Sequence, residues 1–229
     1  MDCRNISITK AGILAWVALV SLFLLVGCTP PIMDSALTPR MAIHGNQPPD
    51  APGDVLGQLA AVTVLYYGFD QKLHQGQVVV HSELAQDIRD VFTLIRQTHF
   101  PIESALPIAH PLIQAKGPFG VSPDTNNSSG FVWRPLVGMR WVSLHALGLA
   151  IDINPRLNPF YKHGKVLPPG ASYDPAKPGT LTSQSSVVKA FKRLGWEWGG
   201  TWPAGDQTDY MHFQKIPPSL AQWVKGYRS

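Results

Sequence analysis

The stretch that decides the fold runs from residue 63 to residue 97 and reads TVLYYGFDQKLHQGQVVVHSELAQDIRDVFTLIRQ. Its β-branched and aromatic runs at 63–67 and 77–81 predict two strands, with turns at 68–70 and at Gly76. After the second run, apolar residues recur at helical spacing from Leu84 to Ile95, which predicts an amphipathic helix over 83–97. Ser82 is a suitable cap for this helix, and the charge of Glu83 suits its first turn. Strand and helix patterns therefore occur together in one domain.

The same patterns continue outward from this stretch. Residues 150–154 read as a buried strand stopped by Pro155, and residues 187–194 read as a helix that Gly195 ends. Residues 104–130 show no clear period and are predicted as a long loop, and a short helix is predicted at 218–224. We expect an α+β fold with a small, mostly antiparallel sheet flanked by helices.

Composition excludes several classes of protein. The chain has 229 residues, which is one domain plus appendages, and 45 % of them are hydrophobic, which excludes wholesale disorder. The net charge of +4 comes from scattered residues, so no nucleic acid partner is expected. Two cysteines, Cys3 and Cys28, cannot form a disulfide framework. A metal site would therefore use histidine and carboxylate ligands, and we expect a monomer.

The N-terminal segment has the pattern of a targeting signal. Two basic residues precede the apolar run AGILAWVALVSLFLLV at 11–26, which is short for a membrane-spanning helix. The run ends in Leu-Val-Gly-Cys at 25–28, which resembles the lipobox of bacterial lipoproteins. The resemblance implies a signal peptide at 1–27 and a mature N-terminus at a lipidated Cys28. The alternative is an uncleaved membrane anchor. By resemblance to the sorting of bacterial lipoproteins, Thr29 after the cysteine implies the outer membrane, so we expect an envelope protein on the periplasmic face of that membrane.

A proline-rich segment follows the cysteine. Residues 28–58 contain six prolines and several glycines among polar residues, with little periodicity, and are predicted as a flexible tether. The alternative for the last third of this segment is an ordered arm packed on the domain. The folded domain is expected to span residues 59–229.

Two polar clusters interrupt the apolar pattern of the domain. His145 and Asp152 lie seven residues apart around Gly148, and they converge if the histidine lies on a turn and the aspartate on the next strand. His212 lies in the second cluster, Asp-Tyr-Met-His-Phe at 209–213. A histidine in such a setting is more often a hydrogen-bonded core residue than a ligand. Two histidines and one aspartate nevertheless match the three protein ligands of a catalytic zinc site. The spacing leaves both interpretations open.

The order of these motifs resembles one family of enzymes. The pattern Ser-x-His-x-x-Gly-x-Ala-x-Asp at 143–152, followed by Asp-x-x-His at 209–212, is similar to the D-alanyl-D-alanine carboxypeptidase and L-alanyl-D-glutamate endopeptidase family of zinc peptidases. The resemblance covers roughly residues 60–216. Further agreement lies in Tyr-Gly-Phe-Asp at 67–70, Phe-Pro-Ile-Glu at 100–103, Asn-Asn-Ser-Ser-Gly-Phe at 126–131 and Gly-Trp-Glu-Trp-Gly-Gly at 195–200.

The resemblance implies a ligand set and a cofactor. His145, Asp152 and His212 match the three zinc ligands of the family, so the expected cofactor is zinc in a cleft beside the sheet. Asp209 matches the general base, with a second role open in which it only orients His212.

Three further residues are expected to border the substrate, two from the resemblance and Trp202 because it lies close to the second polar cluster. Arg134 is expected to face a substrate carbonyl or carboxylate, although a structural salt bridge is the alternative. Ser143 is expected to contact substrate or to support the site. Trp202 is expected to offer a flat apolar surface at the cleft, with an ordinary core position as the alternative.

These roles imply a function. The resemblance implies a zinc peptidase that hydrolyses the peptide stems of bacterial peptidoglycan, of the L-Ala-D-Glu endopeptidase or D-Ala-D-Ala carboxypeptidase type. The alternative is a catalytically silent, lipid-anchored protein that binds the cell wall with the same fold.

Overall fold

The computed structural model describes residues 30–45, 50–115, 125–134, 141–202 and 207–228. The chain divides into two units, Met1–Pro30 and Pro31–Ser229, and Pro30 alone is described in the first. The predicted signal peptide and Cys28 lie outside the described residues. None of the helices within the described ranges has the length and apolar character that crossing a bilayer requires.

A long hairpin forms the first sheet. Strands β2 (Leu59–Tyr67) and β3 (Leu73–His81) pair antiparallel along their whole length, and β1 (Ile32–Met33) pairs parallel with β3 on its other side. Both strands predicted in this stretch are confirmed and are longer than predicted. Gly76 lies inside β3 rather than in a turn. A Cβ atom at this position would lie 2.3 Å from the Ala105 carbonyl oxygen, so the glycine permits close approach of another backbone segment.

Helix α3 (Ala85–Gln97) packs against β2 and confirms the predicted amphipathic helix. A 3₁₀ turn at Ser82–Leu84 precedes it. The cap of this turn is His81 rather than Ser82, because Nδ1 of His81 accepts a hydrogen bond from the Glu83 amide at 3.2 Å. The cap therefore lies one residue earlier than predicted, and the α-helix itself begins two residues later, at Ala85.

The N-terminal arm, residues 31–45, lies on the hairpin. It contains β1 and helix α1 (Pro39–His44), whose Ala42 and Ile43 are buried. The Gln77 side chain accepts from the Leu37 amide at 2.8 Å and donates to the Leu37 carbonyl at 2.9 Å. These residues belong to the unit that begins at Pro31. Any flexible tether after Cys28 is therefore shorter than the predicted span of 28–58.

A partly exposed polar network holds the start of this arm. The Asp34 carboxylate accepts from the Tyr66 hydroxyl at 2.5 Å and lies 2.9 Å from Nδ1 of His74. Nε2 of His74 lies 3.0 Å from Asp70 Oδ1, so the ring stands between two carboxylates. Burial lowers the pKa of His74, but the hydrogen bonds and charges of Asp34 and Asp70 together raise it above the ordinary value.

The rest of the domain is built from short elements. The segment predicted as a loop at 104–130 contains two strands and a helical turn among its described residues. The remaining elements are α2 (Gly53–Leu56), β4 (Ser104–Ala105), α4 (Pro111–Gln114), β5 (Asn127–Ser128), a 3₁₀ turn at Leu144–Leu147, β6 (Ala150–Asp152), β7 (Phe160–Lys162), β8 (Lys165–Leu167), α5 (Ser186–Arg193), β9 (Glu197–Trp198), a 3₁₀ turn at Gly199–Thr201, β10 (Gln207–Asp209), β11 (His212–Gln214), a 3₁₀ turn at Pro218–Leu220 and α6 (Ala221–Arg228).

The strands form several small sheets, and the α+β class is confirmed. Three further sheets have the orders β6-β11-β9, β10-β7-β8 and β4-β5 in the described residues, and only the β4-β5 pair among them is parallel. One apolar core joins the hairpin, α3, α5 and the β6-β11-β9 sheet. Phe213 of β11 lies at its centre, fully buried and stacked on Phe191 with ring centroids 4.0 Å apart. The core thus fixes β11 and, with it, the neighbouring His212.

Candidate metal centre and active site

Strand register brings two of the three predicted ligands together. In the antiparallel β6-β11 pair, Asp152 and His212 lie directly opposite each other. Such partners have side chains on the same face, and Phe213, the next residue, points to the core instead. The Nδ1 atom of His212 lies 3.2 Å from Asp152 Oδ1.

The third ligand reaches the same point from a tight turn. His145 lies in the 3₁₀ turn Leu144–Leu147, and the Ser143 hydroxyl caps this turn by accepting from the His145 amide at 3.3 Å. Gly148 ends the turn with φ +66°, and a Cβ atom there would lie 2.5 Å from the His81 amide nitrogen. Only glycine therefore fits at this point, so that the chain turns directly from the histidine into β6.

The neighbour of His145 determines which ring nitrogen carries the proton. Nδ1 lies 2.6 Å from the Gly130 carbonyl oxygen, which can only accept a hydrogen bond. In the neutral ring the proton is therefore on Nδ1, and Nε2 presents a lone pair. That Nε2 atom lies 3.2 Å from Asp152 Oδ1 and 3.1 Å from Nδ1 of His212.

A relay of two residues sets the opposite tautomer in His212. Gln214 and Glu197 face each other across the β11-β9 pair, and Gln214 Nε2 donates to the Glu197 carboxylate at 2.7 Å. This bond turns the amide so that Oε1 of Gln214 lies 3.1 Å from Nε2 of His212. Nε2 of the histidine donates to that oxygen, which leaves Nδ1 with the lone pair.

Three lone pairs thus face one another, because each neutral histidine carries its proton on the other ring nitrogen and the carboxylate carries none. Nε2 of His145, Nδ1 of His212 and Oδ1 of Asp152 form a triangle with edges of 3.1 to 3.2 Å. In a tetrahedral zinc site with ligand distances of about 2.0–2.1 Å, ligand atoms are about 3.3 Å apart. These residues therefore fit a divalent metal, and they are the one group of metal-ligand type within the described residues.

The charges at this triangle agree with a cation site. Burial alone raises the pKa of the Asp152 carboxyl, but the charges and hydrogen bonds of the two histidines hold it well below its usual range. Burial lowers the pKa of His212, whereas the hydrogen bond to Asp152 and the nearby carboxylates raise it. Without an ion, a proton relieves the repulsion between these groups, and a bound metal replaces that proton.

Asp209 lies beside the triangle. It ends β10, and its backbone approaches Gly199 so closely that a Cβ atom on this glycine would lie 2.5 Å from the Asp209 carbonyl oxygen. Oδ1 of Asp209 is shielded from solvent and has no hydrogen-bond partner among the described residues. Burial raises the pKa of this carboxyl to about 7, the charge of Asp152 adds to the effect, and the positive charges of His212 and Arg134 oppose it.

The remaining predicted residues lie around the same site. Arg134 is close enough to Asp209 for its charge to affect the pKa of that carboxyl. Trp202 is half-buried, with its ring centroid 5.5 Å from that of His212. Ser143 is 3 % exposed and uses its hydroxyl to cap the turn that carries His145. Its supporting role is visible, whereas contact with substrate stays a prediction for all three side chains.

Comparison with known proteins agrees with these motifs. Residues 138–215 match the family model of D-alanyl-D-alanine carboxypeptidase. This region contains the three candidate ligands and Asp209, whereas Arg134 lies just before it. No curated protein and no solved structure matches the chain. This part of the chain is therefore similar to a family of peptidases, and it holds a His-Asp-His cluster suited to a metal.

Sequence reasoning alone does not single out the relay to His212. Gln214 follows His212 by two residues in β11, so alternation places both side chains on one face of the strand. The spacing of His212 and Gln214 in the sequence was therefore enough to find this neighbour. No local pattern identifies Glu197, because its contact with Gln214 depends on the pairing of β9 with β11.

Proposed function

We propose that this protein is a zinc peptidase that hydrolyses the peptide stems of bacterial peptidoglycan, of the L-Ala-D-Glu endopeptidase or D-Ala-D-Ala carboxypeptidase type. One observation carries the proposal: three lone pairs converge from His145, Asp152 and His212 beside the buried, unpartnered carboxylate oxygen of Asp209, all within the described residues. The family match at 138–215 supports the same class of substrate.

The three ligands and the metal have distinct roles. His145, Asp152 and His212 would hold the zinc, and the Asp152 carboxylate would leave one net positive charge on the bound dication. Held by three protein ligands, a zinc ion would lower the pKa of a bound water and polarise a peptide carbonyl.

The neighbouring residues handle protons and charge. Asp209 accepts a proton from the attacking water at Oδ1 and returns it to the departing amine, because this oxygen has no competing partner in the described part of the chain. Arg134 donates charge-assisted hydrogen bonds to a substrate carbonyl or carboxylate oxygen. Trp202 offers a flat surface beside His212 for the peptide.

The experiment separates metal binding from catalysis. His145→Ala removes a ligand, so zinc content and hydrolysis of a defined stem peptide should both fall. Asp209→Asn removes the base and keeps the size, so zinc stays bound while hydrolysis falls by about a hundredfold or more at limiting and saturating zinc. Asp50→Asn, an exposed carboxylate, is the matched control and should leave activity unchanged.

Two outcomes contradict the proposal. Full activity of Asp209→Asn at saturating zinc would reduce this residue to a group that orients His212. A wild-type protein that binds zinc but releases no new amine ends from purified peptidoglycan would be the silent wall-binding protein. Mass spectrometry of the digested muropeptides identifies which bond is cut.

We further propose that Cys28 is the mature, lipidated N-terminus and that the protein resides as a monomer on the periplasmic face of the outer membrane. The proposal rests on the basic start, the apolar run and the Leu-Val-Gly-Cys motif at 25–28. Cells fed a tagged fatty acid should label the wild-type protein and not Cys28→Ala. Label on the variant would exclude this anchor.

A further inference from the structure

A groove runs between the edge of the first sheet and helix α3. It encloses about 240 Å³. Its walls are three consecutive residues of β2 and one face of the helix: Thr63, Val64, Leu65, Arg89, Phe92, Thr93 and Arg96. The groove contains none of the residues assigned to the peptidase site, so a binding role for it is independent of the proposed function.

One wall of the groove is a free strand edge. In the order β1-β3-β2, strand β2 has a neighbour on one side only among the described strands. The Tyr67 carbonyl accepts from the Ile102 amide at 3.0 Å, so it points away from β3. Because outward groups recur at every second residue of an antiparallel strand, Leu65 and Thr63 also direct their N–H and C=O groups outward. Within the described ranges, no protein group bonds these outward atoms of either residue.

This edge lacks the usual protection against added strands. Natural sheets protect free edges with very short strands, prolines, lysines or bulges. Strand β2 has nine residues, and it contains neither proline nor lysine. The residues of β2 that line the groove are a threonine, a valine and a leucine, which suit the neighbour of another strand.

The opposite wall is positively charged. Arg89 and Arg96 lie seven residues apart on α3, about 10 Å along the helix axis. Neither forms an ion pair within the described residues, and Arg89 donates only to Gln86, at 3.3 Å. Side chains on one face of an extended peptide recur at about 7 Å, so carboxylates on such a peptide can meet both guanidinium groups. Phe92 forms the apolar floor between them.

We propose that this groove binds an extended acidic segment of a partner protein, which adds to the edge of β2 as a further strand. The outward groups of Thr63 and Leu65 supply the main-chain hydrogen bonds. The two arginines select carboxylates. Addition of a strand to a sheet edge is an established mode of peptide recognition.

The test uses the full-length protein in detergent and labelled peptides followed by fluorescence anisotropy. Acetyl-Thr-Glu-Val-Glu-Val-Glu-Thr-amide should bind with a Kd on the order of 100 µM, as a short interface allows. The same peptide with lysine in place of glutamate should not saturate. Two further peptides carry N-methyl groups, one on the backbone nitrogens of the valines and the other on those of the glutamates. Because alternate N–H groups face the edge of β2, only one of these two peptides should lose binding.

Variants locate the binding site. Arg89→Gln/Arg96→Gln should weaken the acidic peptide by about tenfold, the sum expected for two exposed ion pairs. Lys192→Gln/Arg193→Gln removes the same charge from α5, lines no part of the groove, and should leave the Kd unchanged. Bound peptide should also slow hydrogen exchange at the Thr63 and Leu65 amides.

Several results would overturn the proposal. Equal binding of the acidic and basic peptides would exclude selection by charge, and equal binding of both methylated peptides would exclude strand addition. If no peptide binds and the arginine variant self-associates, the arginines only protect the edge against aggregation. An unchanged Kd in the double arginine variant would place the peptide elsewhere.

Discussion

Replacing Gln214 should weaken zinc binding although this residue is not one of the three candidate ligands. In Gln214→Leu the volume is similar, but Nε2 of His212 loses the acceptor at 3.1 Å that fixes its tautomer. A neutral hydrogen bond contributes about 1 kcal/mol, or about fivefold in affinity. The hydrogen bond from Gln214 Nε2 to the Glu197 carboxylate, at 2.7 Å, holds the amide in place and increases the loss of affinity expected on its removal. We therefore expect zinc affinity to fall by about ten- to a hundredfold.

The relay predicts that its two members are coupled. Glu197→Gln keeps an acceptor for Gln214 at the exposed end of the relay, so zinc affinity should fall only about two- to threefold. The double variant Glu197→Gln/Gln214→Leu should have the same zinc affinity as Gln214→Leu alone, because the amide through which Glu197 acts is gone. Exposed Gln97, at the end of α3, provides the control Gln97→Leu.

Two measurements test this reasoning. Competition with a chromophoric chelator gives the zinc affinity of each variant, and ¹⁵N chemical shifts of His212 in zinc-free protein report its tautomer. A variant Gln214→Leu that binds zinc as tightly as the wild type would refute the relay. So would full additivity of the two substitutions.

Two further predictions concern stability. His74, whose folded pKa is raised by Asp34 and Asp70, should stabilise the fold by up to about 1 kcal/mol below its unfolded pKa of about 6.5, and this gain should disappear as pH rises through the folded pKa. Urea unfolding should therefore show wild type more stable than His74→Gln at pH 5.5 and not at pH 8.5. Phe213→Ala should cost about 3–5 kcal/mol in the same assay, whereas Phe69→Ala, at a site that is 41 % exposed, should cost under about 1 kcal/mol. A small loss at Phe213 would contradict its central place in the core.

Local patterns in the sequence predicted the elements that depend on local chemistry. The helical spacing from Leu84 to Ile95 defined α3, and Gly195 ends α5 with φ +83°. The spacing of His145, Asp152 and His212 left two interpretations open, and the family resemblance selected these three residues, which the structure brings together in one cluster.

Contacts between distant segments were not visible in the sequence. The sequence predicts a turn at Gly76, whereas the structure shows that this glycine makes room for the Ala105 carbonyl. The N-terminal arm reads as a tether because the acceptor of its Leu37 amide, the side chain of Gln77, lies forty residues further along the chain. Proline-rich composition shows that a segment lacks regular structure, but it does not show whether other residues supply its hydrogen bonds.

If the cluster holds zinc as proposed, the pairing of Asp152 with His212 would link metal supply to the lifetime of the protein. A shift of one residue in the β6-β11 pair turns one of these side chains to the other face, so only the native register brings all three candidate ligand atoms together. Without a metal, the paired residues Asp152 and His212 bring two lone pairs close together. With free zinc at about a hundred times its Kd, binding would add about 2.7 kcal/mol to the free energy of unfolding. A chain that binds zinc here would therefore open more often in zinc-poor surroundings, and proteases of the same compartment would remove it. Its abundance, as well as its activity, would then follow the zinc available in its surroundings.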